Sequence, residues 1–272
     1  MLIEFNNPNM KISHNRNYRD LVVISDLHLG SYHCLKQELL EYLNSINPGK
    51  LVLLGSIVEE AYWQTIQGDI IYSRIFAKLR EWVANGTQLY FISKTNPEIF
   101  ASLLQLDKSK FVCKSRLEFR IDQKNFLLTS HEHISASKFK EKHTSGTNNP
   151  IRKLAGRLLS PLRSILYGKS YDVGKLLAVS SGKFNFLNHY FQRIEEKIID
   201  YASSHGFAGV ITGQMQAPKI INHKIKNAQI SFINTGVWNS SLSALEYQNG
   251  KWELHMHEEN FFAFKLPRLA VN

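Results

Sequence analysis

Residues 21–30 read LVVISDLHLG, and this stretch decides the fold. Its first five residues form a continuous apolar run, which is typical of a β-strand that is buried on both faces of a sheet. Asp26 and His28 follow directly, and Gly30 comes two residues later. The stretch therefore predicts a buried strand that ends in a loop carrying one carboxylate and one imidazole.

Strand and helix patterns alternate along the rest of the chain. Helical spacing predicts helices over Leu35–Ile46 and Ile71–Asn85. Further strands are predicted at Leu51–Leu54, Leu89–Ser93, Phe111–Phe119, Asn125–Thr129, Val210–Thr212 and Ile230–Asn234, with a terminal hairpin of Leu242–Tyr247 and Trp252–Glu258. In such a sheet the loops after the strands share one edge, so the ligand site is predicted there.

Bulk properties limit the class of protein. The chain of 272 residues is long enough for one large α/β domain, and no run of about 18 apolar residues predicts a membrane-spanning helix. Met1–Asn17 lacks the apolar core of a signal peptide. Cys34 and Cys113 have no metal or redox spacing, which favours reduced thiols in a cytosolic protein. The net charge of +10 would attract phosphates, anionic lipid headgroups or nucleic acid, and charge alone does not choose among them.

The order of strand, Asp-x-His-Leu-Gly, helix, second strand and Gly55 resembles the opening of the calcineurin-like metallophosphoesterases. The resemblance covers nearly the whole chain, and it is greatest to UDP-2,3-diacylglucosamine hydrolase-like proteins, which cleave a pyrophosphate in lipid A synthesis. Its supporting segments are SDLHLGSYHC (25–34), LVLLGSIVE (51–59), YFIS (90–93), VITGQMQAPKI (210–220) and FINTGVWNSSLSALEYQNGKWEL (232–254). The resemblance implies a two-sheet α/β sandwich flanked by helices, formed by residues 1–272 as a single domain with a helical cap inserted at 135–192.

Members of this family are expected to hold two metal ions on five loops, where the ions clamp a phosphate and generate a hydroxide. The resemblance implies that Asp26, His28 and His131 are retained metal ligands. Neutral side chains stand at the other expected site positions, namely Ser56, Thr95, Asn96, Gln214 and Gln216. Two divalent ions held by one carboxylate would repel each other strongly. We therefore expect a catalytically impaired or inactive protein that binds at most one divalent metal of the Mn or Mg class.

Two alternatives stay open. The first is an active hydrolase of the UDP-2,3-diacylglucosamine type with an altered metal site. Four residues near these loops could complete an unconventional metal site with Asp26, His28 and His131, or they could be solvated loop residues. They are Glu59, Glu60, Glu132 and His133. The second is a nucleic-acid-binding protein, although the Lys and Arg residues are not interleaved with stacking aromatics.

The predicted cap contains a basic amphipathic stretch over residues 151–166, interrupted at Pro161. Its basic residues are predicted to contact an anionic lipid or a phosphorylated small molecule: Arg152, Lys153, Arg157 and Arg163. Such a stretch can lie on an anionic membrane surface, or its apolar face can pack on its own domain. The expected location is the cytoplasm or the inner membrane surface.

Overall fold

The computed structural model describes residues 2–4, 17–32, 34–93, 96–130, 181–213, 217–225 and 228–257. Twelve strands in these ranges form two six-stranded sheets. Helices pack on the outer faces of both sheets. The predicted two-sheet α/β sandwich flanked by helices is confirmed.

In chain order, the strands are β1 (Leu2–Glu4), β2 (Tyr18–Ser25), β3 (Asn47–Leu54), β4 (Gln88–Ile92), β5 (Phe111–Cys113), β6 (Arg116–Ile121), β7 (Lys124–Thr129), β8 (Gly209–Thr212), β9 (Lys219–Ile225), β10 (Ala228–Asn234), β11 (Ser243–Gln248) and β12 (Lys251–Met256). The first sheet has the order β12-β11-β2-β3-β4-β5, and the second has the order β1-β6-β7-β8-β10-β9. Strands β2 to β5 run parallel, so their carboxyl ends share one edge.

The described helices are α1 (Lys36–Ser45), α2 (Trp63–Gln67), α3 (Ile70–Ala84), α4 (Pro97–Leu104), α5 (Ser181–Ser204) and α6 (Trp238–Ser241). Single 3₁₀ turns occupy Glu60–Tyr62 and Lys108–Lys110. None of these helices is long and apolar enough to cross a membrane.

Strand β2 shows why the sequence folds in layers. Leu21 and Val23 point into the core between the two sheets, whereas Val22 and Ile24 point toward the helices α1, α3 and α4. All four side chains are completely buried. Burial of such a side chain contributes about 1.5–3 kcal/mol, so an apolar run of this kind is stable only in the middle of a layered structure. Helix α5 covers the outer face of the second sheet through Ile194, Ile198, Ile199 and Ala202.

The structure differs from the sequence prediction in several elements, and it adds β1, α2, α4 and α6, for which no element was predicted. The predicted strand Phe111–Phe119 is two strands in different sheets, because β5 pairs with β4 and β6 pairs with β7. Lys114 and Ser115 carry the chain from one sheet to the other. Strand β9 was not predicted because it is an edge strand with mostly exposed side chains. Helix α5 continues unbroken beyond the predicted end of the cap at Gln192, and residues 135–180 lie outside the described ranges.

Both cysteines are free thiols, as expected. Cys34 is largely buried, and burial raises its thiol pKa to about 11. It is therefore a protonated core side chain at neutral pH and no nucleophile.

A titratable group in β2 gives the fold a pH dependence. Asp20 is buried, and this burial raises the pKa of its carboxyl. The Asn249 backbone N–H and the Lys50 ammonium lower the same pKa, but their effects are smaller than that of burial. A carboxyl whose pKa is higher in the folded state favours folding when protonated. This contribution is present below the unfolded pKa of about 3.9 and is lost as the pH rises through the folded pKa.

We expect Asp20→Asn to raise the free energy of unfolding at pH 7 and to flatten its decline above pH ~4, because the amide has no charge to desolvate. Urea denaturation from acidic to neutral pH measures both effects. Asp200→Asn, on the exposed face of α5, serves as the control and should follow the wild type. A lower stability of Asp20→Asn at pH 7 would contradict the expectation.

Candidate functional site

The site lies on the loops that follow β2 and β3. The backbone hydrogen bonds that pair these two strands continue between the two loops. Asp26 and His28 take left-handed backbone conformations with φ of 55° and 47°, which L-residues rarely adopt. Four backbone bonds join the two loops: Asp26 N to Leu54 O at 2.9 Å, His28 N to Ser56 O at 3.0 Å, Leu29 N to Ile57 O at 2.8 Å and Glu59 N to Leu29 O at 2.9 Å. These bonds hold the strained loop in one position.

The Asp26 carboxylate lies in a cradle of backbone. The residue is completely buried, and its Oδ1 accepts a hydrogen bond of 2.9 Å from the Ser56 N–H. A Cβ at Gly55 would lie 2.4 Å from Oδ1, and a Cβ at Gly213 would lie 2.9 Å from Oδ2. Only glycine fits at either place. The cradle therefore joins the loop after β2 with the loops after β3 and β8, which belong to different sheets.

His28 is the second predicted ligand that the structure describes. It is 4% exposed, and its Nδ1 is in hydrogen-bonding contact with the Glu59 carboxylate. Glu59 is thus the partner of His28, an arrangement that the sequence did not predict. A carboxylate on one imidazole nitrogen is the usual companion of a histidine that binds through the other nitrogen.

Two neutral positions are also described. Ser56 stands where the resemblance implies a carboxylate that bridges two ions, and its backbone N–H is committed to Asp26. Asn96 is exposed and caps α4, since its Oδ1 accepts a bond of 2.9 Å from the Glu98 N–H and Pro97 follows at the first helical position. Its own N–H donates to Glu60 Oε1 at 2.9 Å. Asn96 therefore acts as a helix cap, and Glu60 anchors the start of that helix.

A buried hydroxyl network lies directly below Asp26, and sequence reasoning missed it. Ser25 Oγ lies 2.7 Å from Thr235 Oγ1 and donates to the Gly236 carbonyl at 2.6 Å. Thr235 Oγ1 donates to the Thr212 carbonyl at 3.1 Å, and Ser243 Oγ donates to the Thr235 carbonyl at 2.7 Å. The four hydroxyl-bearing residues are completely buried. Because they belong to both sheets, the network fixes the sheets against each other beneath the site.

Two further side chains hold the rim. Asn234 donates to the Ala217 carbonyl at 3.1 Å and accepts from the Gly236 N–H at 3.2 Å. Trp238 is completely buried and donates to the Leu35 carbonyl at 3.1 Å, so this indole is a packing residue. The signal in the sequence was Asn-Thr-Gly at the end of a strand, which is a turn pattern with side-chain hydrogen bonds.

The remaining predicted site residues lie outside the described ranges. They are His131, Thr95, Gln214, Gln216, Glu132 and His133, together with the basic residues Arg152, Lys153, Arg157 and Arg163. Their assigned roles stay predictions.

The donors that the structure describes at this site do not by themselves fit a pair of divalent cations. Asp26 supplies the single carboxylate of the cradle, Ser56 adds no charge, and Asn96 faces solvent as a cap. Within the part of the chain that the structure describes, no group of three or more His, Cys, Asp or Glu side chains could hold a metal ion. We therefore derive no hydrolytic step through a metal pair.

No protein-family model matches the chain, and no curated protein matches it. Solved structures similar to it include a novel archaeal phosphodiesterase, with 11% identity, a TM-score of 0.40 and coverage of 87% of this chain and 98% of that chain. A second is a dimetal phosphatase from Danio rerio, with 9% identity, a TM-score of 0.40 and coverage of 87% of this chain and 95% of that chain. A third is vacuolar protein sorting 29 from Cryptosporidium parvum, with 12% identity, a TM-score of 0.36 and coverage of 88% of this chain and 96% of that chain. Because all three TM-scores are below 0.5, we take the function of this chain from its own residues.

The glycine cradle gives a direct prediction about stability. Gly55 and Gly86 have similar positive φ values of 86° and 96°, but a Cβ at Gly86 would have no neighbour within 4 Å. Alanine at Gly86 should cost about 1–2 kcal/mol of backbone strain. Alanine at Gly55 should cost that amount and a further ~1–3 kcal/mol, because its Cβ would displace the Asp26 carboxylate. Urea denaturation measures the free energy of unfolding of both variants. Equal losses of stability would show that the short distance between Gly55 and the Asp26 carboxylate makes no difference to the stability.

Proposed function

We propose that this protein is a hydrolytically impaired member of the metallophosphoesterase fold class that binds a phosphorylated ligand in the cleft beside Asp26. The observation that carries the proposal is the Asp26–Ser56 pair. The resemblance implies a bridging carboxylate at this position, and this chain has Ser56, whose backbone N–H donates to the buried Asp26 at 2.9 Å. The loop thus holds a neutral side chain next to the buried acid, which supports a site with fewer anionic donors than two metal ions need.

The charge balance supports the proposal that this chain carries out no two-metal reaction. Two divalent cations a few Å apart bring about four positive charges, and Asp26 offsets one of them. At 4 Å, unit charges interact by about 4 kcal/mol at an effective dielectric constant of 20, and the repulsion between two doubly charged ions is several times larger. Without bound metal, water keeps a pKa of about 15.7 rather than about 7, so little hydroxide forms at neutral pH.

Binding needs less than hydrolysis. Asp26 and His28 lie on one loop and supply ligands for at most one divalent cation, with His131 as the predicted third. The net charge of +10 favours a phosphorylated or lipid-linked partner over a cationic one. We also propose that this ligand contacts the basic residues of segment 151–166 at an inner membrane surface.

The first test is metal content and turnover of the purified full-length chain after loading with manganese. We expect no more than one bound ion per chain and no turnover of bis(4-nitrophenyl) phosphate or UDP-2,3-diacylglucosamine above the rate in buffer. Two tightly bound ions together with robust turnover would overturn the proposal and favour the active hydrolase.

The second test restores the missing charge. Ser56→Asp should strengthen manganese binding by at least ~10-fold, because it places a second carboxylate beside Asp26. Ser102→Asp adds the same charge on the exposed side of α4 and should leave manganese affinity at the wild-type value. Isothermal titration calorimetry measures both. An equal effect of the two variants would mean that Ser56 does not occupy a ligand position.

A further inference from the structure

A groove between three helices is not used by the proposed function. It has a volume of about 270 Å³, and it is formed by residues of α2, α3 and α4 together with Gln105, the residue that follows α4. This volume is close to the lower limit for small-molecule sites in proteins, which is about 300 Å³. The groove therefore suits a small organic ligand.

The floor of the groove is apolar and already in place. Ile66, Phe76 and Leu103 line it, and all three residues are buried in one hydrophobic core cluster. Ile66 also packs against the loop after β2, since a Cβ at Gly30 would lie 3.0 Å from the Ile66 Cδ1. Because the core holds these side chains, an apolar group that enters the groove meets a preformed surface.

Arg80 brings a positive charge to the wall of this groove. The residue is half-buried, and its guanidinium donates one long hydrogen bond, from Nη1 to the Leu104 carbonyl at 3.4 Å. Lys78 on the same helix is paired with Glu81, whereas within the described ranges no acid pairs with Arg80. The other N–H groups of the planar guanidinium are therefore available to a ligand.

The charges around the groove favour one kind of anion. Of the described residues that line it, Arg80 alone is charged. A single guanidinium balances a carboxylate, which it can bind through two parallel hydrogen bonds. A phosphate monoester carries a charge of about −1.5 to −2 at pH 7, and its excess negative charge would lie beside the carbonyl end of α4, which is the negative end of that helix. The groove is therefore better matched to a carboxylate than to a phosphate.

We propose that the groove between α2, α3 and α4 is a binding site for a small organic carboxylate. The Arg80 guanidinium binds the carboxylate, and the apolar part of the ligand lies on Ile66, Phe76 and Leu103. This inference goes beyond the proposed function, because it concerns other residues and another class of ligand. Either proposal can fail without the other.

The first experiment titrates the full-length chain with 3-phenylpropionate and follows ¹H–¹⁵N NMR spectra. We expect saturable shifts in the side-chain amides of Gln67 and Gln105, which line the groove, with the millimolar or tighter Kd that is typical of ligands of this size. The uncharged 3-phenylpropionamide should bind at least ~10-fold more weakly, because hydrogen bonds to a charged group contribute about 10- to 100-fold to affinity. 2-Phenylethyl phosphate should also bind the groove more weakly than the carboxylate.

Four results of this titration would overturn the inference. Shifts that stay linear up to the solubility limit of the acid would show that no site exists, and equal affinities of acid and amide would show that no charge is recognised. Tighter binding of the phosphate to the groove would contradict the choice of a carboxylate. Shifts at Gly55 and Ser56 in place of Gln67 and Gln105 would put the acid in the cleft beside Asp26.

The second experiment tests the role of the guanidinium. Arg80→Gln should weaken binding of 3-phenylpropionate by at least ~10-fold and leave the affinity for the amide unchanged. Arg74→Gln removes the same charge from an exposed position of the same helix and should match the wild type. Equal losses in the two variants would mean that the net charge of the protein attracts the acid, and this would overturn the role of Arg80.

A third pair of variants leaves Arg80 and its bond to Leu104 intact. Ser73 is exposed and lines the groove on the same helix as Arg80. Ser73→Glu and Ser73→Gln add side chains of nearly equal shape, and Glu alone adds a negative charge. We expect Ser73→Glu to bind 3-phenylpropionate at least ~10-fold more weakly than Ser73→Gln does. Equal affinities of these two variants would overturn the inference even if Arg80→Gln failed to fold.

Discussion

The Asp26 carboxylate lies close to the backbone of two glycines, and this contact fixes the positions of the loops after β2, β3 and β8 relative to one another. Gly55 directly follows a strand of one sheet and Gly213 directly follows a strand of the other, and a side-chain carbon at either position would collide with the carboxylate. The buried acid thus lies at the junction of the two sheets. Its Ser56 N–H partner and the ladder bonds on either side keep a loop with two left-handed residues in a single conformation.

Next to this junction, neutral hydroxyl groups link the two sheets. The hydroxyls of Ser25, Thr235 and Ser243 link both sheets through short hydrogen bonds in a region without solvent. Such a network is satisfied internally and needs no ion to offset its charge. The network therefore holds the two sheets together at this edge with neutral groups alone.

Much of the fold could be predicted because the segments with strand-like or helix-like sequence patterns are also the ones that the structure buries. The apolar runs of β2, β3 and β4 are buried on both faces, and Asn249 and Gly250 take the positive φ values that the predicted hairpin turn requires. The split of Phe111–Phe119 could not be predicted, since alternation of apolar residues is the same whichever sheet a strand joins. Asn96 was placed among the site positions by resemblance, while the hydrogen bond to Glu98 N makes it a helix cap.

The sequence by itself determined the layered α/β architecture, because buried apolar runs and helical spacing follow from residue types and their order. The presence of Ser56 rather than an acid beside Asp26 can likewise be read from the sequence alone. Only the tertiary structure decided the partners: that Glu59 contacts His28, that Gly213 lies close to Asp26, and that the hydroxyls of Ser25, Thr235 and Ser243 join one buried network. These contacts join residues 31 to more than 200 positions apart, and spacing along a chain carries no information about which distant side chains will touch.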